Sequence, residues 1–120
     1  MRDLINQLLL LSEAESIAID PKMIITEWVI FDAIFFDGTQ SSHLVGQVLA
    51  KGERVSSEIT SFFPETKTII TRSGREYKLI GYPGISCNGD VWVKWAALYK
   101  VVSYQNITDQ YAQKIRNIIN

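Results

Sequence analysis

Arg72 and Arg75 are the residues whose type and spacing come nearest to a binding site. They flank Ser73-Gly74, a dipeptide that accepts the positive φ angles of a two-residue hairpin loop. With that loop, Arg72 lies opposite Arg75, and such a like-charge pair costs up to about 1 kcal/mol unless an anion or a neighbouring carboxylate neutralises it. The pattern fits an anion-binding fork for phosphate, nucleic acid or an acidic protein surface. The other interpretation is two solvated arginines at a loop tip.

Further cationic and aromatic side chains extend the set of candidate binding residues. Arg54, Lys67 and Lys78 could enlarge a positive surface around the hairpin tip. Trp92 and Trp95 could form a stacking platform or the centre of a protein interface, because tryptophans dominate such contacts. The other interpretation places these two tryptophans in the core and its wall.

No arrangement typical of catalysis or metal binding is visible in the sequence. His43 is the only histidine and Cys87 the only cysteine, so neither a zinc site nor a Ser-His-Asp arrangement assembles in the usual way. Asp32 and Asp37 have opposite parity on a strand, which places them on opposite faces. We therefore predict a protein that is not an enzyme and has no metal and no cofactor.

Two β-prone runs that meet at Ser73-Gly74 must position the arginines. The two-residue loop predicts a register in which Ile70 faces Tyr77, and Leu79 continues the same face. An isolated hairpin is unstable in water, so the rest of the chain must cover this apolar face.

Hydrophobic periodicity predicts the remaining elements. Apolar residues recur at helical spacing over residues 3–17 and 107–119, which predicts one helix near each end. Residues 23–36 are almost continuously apolar, and their β-branched and aromatic content favours a central strand buried on both faces over a buried helix. Two shorter strands are predicted at residues 43–50 and 55–60.

These elements predict one α+β domain over residues 1–120. Its architecture is a strongly curved antiparallel sheet or a small open β-barrel, flanked by N- and C-terminal helices. Residues 91–102 fit either a helix or a strand, and the spacing of their apolar residues behind Asp90 slightly favours the helix.

Composition excludes several classes of protein. Hydrophobic residues make up 47% of the chain and charged residues 21%, which is ordinary for a globular domain. The formal net charge of -1 provides no overall attraction to nucleic acid or to an anionic membrane. A single cysteine fits a reducing compartment, and no apolar stretch reaches the roughly 18–20 residues that span a bilayer. We therefore predict a cytoplasmic protein without membrane contact.

Several motifs occur in an order that resembles a set of small bacterial and prophage-borne proteins. Residues 55–59 resemble their TS-x-I strand, with Ser56-Ser57 in place of Thr-Ser, and residues 70–81 resemble their T-x-S-G-x-x-Y-x-L-G hairpin. Trp28 and residues 44–48 lie where that pattern has a tryptophan strand and an L-x-G-x-V strand. The resemblance covers roughly residues 25–84. It implies a compact β-rich module, often carried on mobile genetic elements, and it supplies no catalytic residue.

We therefore predict a non-enzymatic protein-interaction module, an accessory protein of a mobile element or phage that binds a host protein. The alternative is nucleic-acid or anion binding through the Arg72/Arg75 hairpin tip, with an affinity that falls steeply as salt increases. The sequence does not identify the protein partner. Homodimerisation through the first helix or an uncovered sheet edge also stays open.

Overall fold

The computed structural model describes residues 22–84 and 90–119. The predicted helix over residues 3–17 and the single cysteine lie outside the described residues. The described elements are, in chain order, β1 Lys22–Phe35, β2 Gln40–Val48, β3 Gly52–Phe63, β4 Thr68–Thr71, β5 Glu76–Ile80, α1 Asp90–Leu98, β6 Val101–Asn106 and α2 Thr108–Ile119.

The strands form one curved sheet in the order β2-β3-β4-β5-β1-β6, and β2 also pairs with β1. Strand β1 therefore pairs with β2, β2 with β3, β3 with β4, β4 with β5, and β5 again with β1. The β1–β5 pairing is parallel, whereas the other pairings are antiparallel. The prediction of an α+β domain with a curved sheet is confirmed. The prediction of a wholly antiparallel sheet is wrong, because β5 returns alongside the first half of β1.

The middle of strand β1 is buried on both faces, as its apolar run predicts, whereas Ile24 and Ile34 nearer its ends are exposed. On the side of α2 it contributes Ile25, Trp28 and Ile30 to one apolar cluster. On the side of α1 it contributes Val29 and Ala33 to a second cluster, together with Trp92. One strand thus supports two apolar clusters, each of which a helix covers.

A β-bulge at Glu27 changes the direction of the β1 side chains. The register with β2 shifts between Thr26 and Val29, and Glu27 has a φ of 50°. Ile25 and Trp28 are three positions apart, so they would lie on opposite faces if this part of the strand were regular. Because of the bulge, both belong to the cluster beneath α2.

Two glycines allow other segments to approach this bulge closely. A Cβ atom on Gly46 would lie 2.8 Å from the carbonyl oxygen of Thr26, and one on Gly84 would lie 2.6 Å from that of Glu27. The Gly84 N–H also donates to the carbonyl oxygen of Trp28, at 3.0 Å. Any larger residue at either glycine would press on the bulge.

The β4–β5 hairpin reverses near Ser73-Gly74, but its loop has three residues rather than two. The Gly74 N–H donates to the Thr71 carbonyl at 2.9 Å, and the Thr71 N–H donates to the Arg75 carbonyl at 3.1 Å. Gly74 has a φ of 90°, which is typical of a three-residue loop that ends in a glycine bulge.

The longer loop shifts the hairpin register by one residue from the prediction. Ile69 pairs with Tyr77, and Ile70 pairs with Glu76. The residues that share the buried face are therefore Ile69, Tyr77 and Leu79, whereas Ile70 is only half-buried.

Residues 91–102, predicted as either helix or strand, contain one of each. Helix α1 ends at Leu98, and β6 begins at Val101 after a turn in which Lys100 has a φ of 61°. The predicted strand at residues 55–60 is longer than expected, because β3 begins at Gly52 and runs to Phe63.

The predicted C-terminal helix is confirmed, and a cap fixes it to β1. The side-chain oxygen of Asn106 accepts a hydrogen bond of 2.9 Å from the Thr108 N–H, which caps the first turn of α2. The Thr108 hydroxyl oxygen in turn accepts a hydrogen bond of 2.9 Å from the Ile30 N–H. This contact joins the start of α2 to the middle of β1.

Candidate functional site

Arg72 lies in the hairpin loop, but it does not face Arg75. Its Nε donates to Oε1 of Glu58 at 3.0 Å, and its Nη2 forms an ion pair with the same oxygen. The Arg72 backbone N–H also donates to the Glu58 carbonyl, at 2.8 Å. The predicted fork of two facing arginines is therefore wrong. The three-residue loop places Arg75 opposite Thr71, and Glu58 neutralises Arg72.

Arg75 and Arg54 instead lie near the buried phenol of Tyr77. Burial raises the pKa of Tyr77 above its ordinary value, and the charges of Arg75 and Arg54 partly oppose that rise. The Nε of Arg75 is buried and has no hydrogen-bond partner within residues 22–84 and 90–119. Two of the predicted cations thus lie near a core tyrosine and do not join Arg72 in one binding site at the hairpin tip.

Lys67 and Lys78 lie at the other end of the β4–β5 pair. Lys78 is opposite Thr68, and its Nζ donates to the carbonyl oxygen of Thr66 at 2.5 Å. Strands rise about 3.3 Å per residue, so this end is roughly 13 Å along β4 from Arg72. The five predicted cations therefore do not form one continuous patch.

We expect the Arg72–Glu58 ion pair to contribute little stability, because the Arg72 side chain is 71% exposed. A double-mutant cycle with Arg72→Ala and Glu58→Ala should give a coupling energy of about 0.2–1 kcal/mol. Urea denaturation measures this coupling, and it should decrease at high salt because ions screen exposed charges. A control cycle of Lys114→Ala with Glu58→Ala should be additive, and equal coupling in both cycles would contradict the pairing.

Trp92 and Trp95 lie in an aromatic cluster that α1 covers. Trp92 is 1% exposed, and its ring stacks on Phe31 at 4.7 Å and on Trp95 at 5.3 Å between centroids. Trp95 is half-buried and contacts His43 at 4.6 Å and Tyr99 at 4.7 Å. Trp92 is therefore a core residue, and only Trp95 reaches the surface.

His43 is buried beneath Trp95, with hydrogen bonds at both ring nitrogens. Nδ1 lies 2.9 Å from the Ser56 carbonyl oxygen, and Nε2 lies 2.7 Å from the Ser41 hydroxyl. A carbonyl only accepts, so Nδ1 carries the proton, and in neutral histidine Nε2 accepts from Ser41. Burial lowers the pKa of His43, which the Ser56 carbonyl and the charges of Glu58 and Asp32 partly oppose.

We expect the lowered pKa of His43 to destabilise the folded state in acid. The unfolded chain binds a proton near the ordinary pKa of 6.5, whereas folded His43 resists protonation to a lower pH. The stability contributed by neutral His43 is thus present above pH 6.5 and is lost as the pH falls through the folded pKa. Urea denaturation from about pH 8 to about pH 5 measures this loss. A His43→Asn variant should show a smaller loss, and equal losses would contradict the expectation.

A cleft and a free strand edge flank the aromatic cluster. The cleft, of about 410 Å³, is lined by Trp95, Tyr99 and His43 among others. Strand β6 pairs only with β1, so its other edge is uncovered among the described strands. Val102 is 64% exposed and Tyr104 52%. This edge was not predicted, because only Val101 and Val102 of β6 lie in the ambiguous residues 91–102 and the rest of the strand has no clear alternation of apolar and polar residues.

The acidic side chains near the β1–β2 turn are used in local hydrogen bonds. Asp32 accepts from Gln40 at 2.5 Å and from Ser42 at 3.0 Å. Asp37 accepts from the Thr39 hydroxyl and N–H, which lowers the pKa of its carboxyl group.

No cluster of three or more potential metal ligands occurs within residues 22–84 and 90–119. In the same ranges, no helix has the length and hydrophobicity to cross a bilayer.

The chain matches no protein-family model, no curated protein and no solved structure. The resemblance to small bacterial and prophage-borne proteins therefore stays a prediction. The function has to be inferred from the contacts, burial and charges of the described residues.

Proposed function

We propose that the protein is a non-enzymatic interaction module that binds another protein through the free edge of β6. The observation that carries this proposal is a strand edge that no other described strand pairs with and that bears large exposed apolar side chains. We call the edge and its exposed neighbours the β6 surface, which consists of Phe36, Leu98, Tyr99, Val102 and Tyr104.

The β6 surface fits an extended segment of the partner. An uncovered edge presents backbone N–H and carbonyl groups that a strand from another protein can pair with. The regular part of the edge follows Val102, which is the extra residue where the β1–β6 register shifts. Val102 and the exposed side of Tyr104 would then contact apolar side chains of the added strand. Tyr99 belongs to the β6 surface and also lines the cleft beside Trp95, so one further apolar side chain of the partner can enter that cleft.

The proposal includes a biological setting. We infer an accessory protein of a mobile element or phage that acts in the bacterial cytoplasm and binds a host protein. The support is the motif order in residues 25–84, the single cysteine and the near-neutral net charge of -1.

Nucleic-acid binding through the hairpin tip has weaker support from the geometry. Arg72 is paired with Glu58, and the remaining cations lie in separate places. Binding of nucleic acid, or of a second copy of the chain, would therefore contradict the proposal.

Photo-crosslinking from a single position tests the proposal. A photoreactive amino acid at Val102 should capture a bacterial protein after nuclease treatment, whereas the same group at exposed Gln47 on β2 should not. The purified partner should then bind a Val102→Lys variant at least about tenfold more weakly, because an edge lysine opposes strand addition. Gln47→Lys should bind normally.

Three results would contradict this function. The first is capture of the same proteins from both positions, and the second is capture that nuclease abolishes. The third is a crosslink only to a second copy of the chain, which sedimentation equilibrium would identify as a homodimer.

A further inference from the structure

One face of the sheet near the start of β1 carries an open cleft that neither α1 nor α2 lines. Every residue on the wall of this cleft belongs to β1, β3, β4, β5 or the β3–β4 turn. We call this surface the outer face, and its main side chains are those of Lys22, Ile24, Phe63, Ile70, Lys78 and Ile80. None of them belongs to the β6 surface, so the two surfaces are independent.

The strand register places apolar side chains on the same side of the outer face. Ile24 is opposite Lys78 on β5. Lys78 is opposite Thr68 on β4, which in turn is opposite Phe63 on β3. Because directly paired residues point to the same side of a sheet, Ile24 and Phe63 belong to one row of side chains.

The apolar side chains of the outer face are largely exposed. Ile24 is 44% exposed and Phe63 46%. Ile80 lies two residues after Lys78, which places it on the same side of β5, and it is 43% exposed. Large apolar side chains that share a face without a described helix on it indicate a docking surface.

Residues 1–21, which lie outside the described residues, are connected directly to the outer face. Strand β1 begins at Lys22, and both Lys22 and Ile24 line the cleft. The predicted helix over residues 3–17 leaves only residues 18–21 between itself and β1. These residues span at most about 14 Å, so the C-terminal end of such a helix must lie close to the start of β1.

The apolar side chains of residues 3–17 match the outer face in extent. Leu4, Ile5, Leu8, Leu9 and Leu11 recur at helical spacing and form one stripe. From Leu4 to Leu11 the stripe is roughly 10 Å long at 1.5 Å per residue. Neighbouring strands lie about 4.8 Å apart, so the outer face from β3 to β1 is roughly 14 Å wide. The stripe therefore fits on this face.

The charges of the two parts of the chain are complementary. The rest of the chain holds 11 of the 12 basic residues but only nine of the 13 acidic ones, whereas residues 1–21 hold Arg2 and the acidic Asp3, Glu13, Glu15 and Asp20. On the outer face, Lys22 and Lys78 are exposed and Glu76 is half-buried. Opposite charges favour the N-terminal segment over a second copy of the same face, because two such faces would bring their lysines together.

We propose that residues 3–17 form an amphipathic helix that packs on the outer face of the same chain. The leucine stripe of this helix lies against Ile24, Phe63 and Ile80. The short connection through residues 18–21 keeps the stripe at a high effective concentration next to the face, so the contact forms at any protein concentration. The helix closes the outer face to other proteins and leaves the β6 surface available.

Methyl NMR of the full chain with a soluble gadolinium chelate tests the proposal. Ile118 on α2 is 47% exposed, so it is a matched reference for Ile24 and Ile80. The δ1-methyl signals of Ile24 and Ile80 should relax at least about twofold more slowly than that of Ile118, because a packed helix excludes the chelate. Nuclear Overhauser contacts should also join leucine methyl groups of residues 4–11 to the Ile24 methyl group.

Two variants that add the same charge separate docking from a general effect. Leu8→Glu places a carboxylate within the apolar stripe, whereas Gln7→Glu places it outside the stripe. Leu8→Glu should raise the relaxation of the Ile24 and Ile80 methyl groups to that of Ile118 and remove the Overhauser contacts. Gln7→Glu should leave both measurements unchanged.

The measurement on the parent chain is decisive even if a variant folds poorly. Equal relaxation of Ile24, Ile80 and Ile118 in the parent chain would overturn the proposal, and so would equal responses of Leu8→Glu and Gln7→Glu. Overhauser contacts seen only between labelled and unlabelled copies in a mixed sample would also overturn it, because a second copy would then occupy the outer face.

Discussion

Replacement of Trp92 with alanine is expected to lower the free energy of unfolding by about 3–5 kcal/mol. Trp92 is 1% exposed, stacks on Phe31, and makes an edge contact of 5.3 Å with the Tyr104 ring. The truncation leaves a cavity where α1, β1 and β6 meet, and stiff aromatic rings cannot collapse into it. The indole N–H has no hydrogen-bond partner among the described residues, so the cost comes from lost packing rather than from a lost hydrogen bond.

Urea denaturation followed by far-ultraviolet circular dichroism measures this loss. The matched control is Val93→Ala, because Val93 is the next residue on α1 and is 55% exposed. That variant should change the free energy of unfolding by about 0.5 kcal/mol or less. Similar losses for Trp92→Ala and Val93→Ala would mean that α1 does not pack on the sheet as described.

Replacement of Gly46 with alanine should lower the free energy of unfolding by about 1–3 kcal/mol. The new Cβ would lie 2.8 Å from the Thr26 carbonyl oxygen and 3.0 Å from the Ile25 side chain. The carbonyl belongs to the backbone just before the bulge at Glu27, so it cannot move without disturbing the β1–β2 pairing. The clash, rather than a φ angle, makes glycine necessary here.

Thermal and urea denaturation of Gly46→Ala check this expectation. Gln47→Ala is the matched control, since Gln47 is the next residue on β2 and its side chain is exposed. Gly84→Ala provides an independent test, because its Cβ would lie 2.6 Å from the Glu27 carbonyl oxygen. If both glycine variants were as stable as the parent chain, Gly46 and Gly84 would not lie as close to the bulge as the structure has them.

The elements that local patterns specify were predicted well. The apolar run of β1 indicated a strand buried on both faces, which holds for the middle of the strand, and the spacing of Ile107, Tyr111 and Ile115 indicated α2. The parallel pairing of β1 with β5 was missed because it joins segments far apart in the chain, and no local pattern signals such a contact. The bulge at Glu27 was missed for a similar reason: only the partner strand shows the extra residue.

The hairpin shows how a small error in loop length changes a functional interpretation. A glycine at positive φ serves both two-residue and three-residue loops, so Ser73-Gly74 alone does not choose between them. The choice shifts the register by one residue. With the predicted register, Arg72 faced Arg75. In the structure it pairs instead with Glu58, which lies on β3 and not on the hairpin.

The cleft of about 160 Å³ between α2, β1 and the segment after β5 could not have been predicted from the sequence. Trp28, Lys67 and Arg116 are distant in the chain, and no motif connects them. The feature that brings them together is the packing of α2 against β1 near the β3–β4 turn, which depends on the whole fold.

The central position of β1 also affects how the chain is made. The Ile30–Thr108 hydrogen bond joins residues 78 positions apart, so β1 leaves the ribosome long before its last partners exist. At about 5–20 residues per second, the delay is roughly 4–16 s. During that interval β1 gains its described partner strands one after another, β2 first and then β5 and β6, so part of its apolar surface stays exposed until α2 is made. Slower synthesis at the same temperature should therefore increase aggregation of newly made chains, and a chaperone that binds extended apolar segments should reduce it.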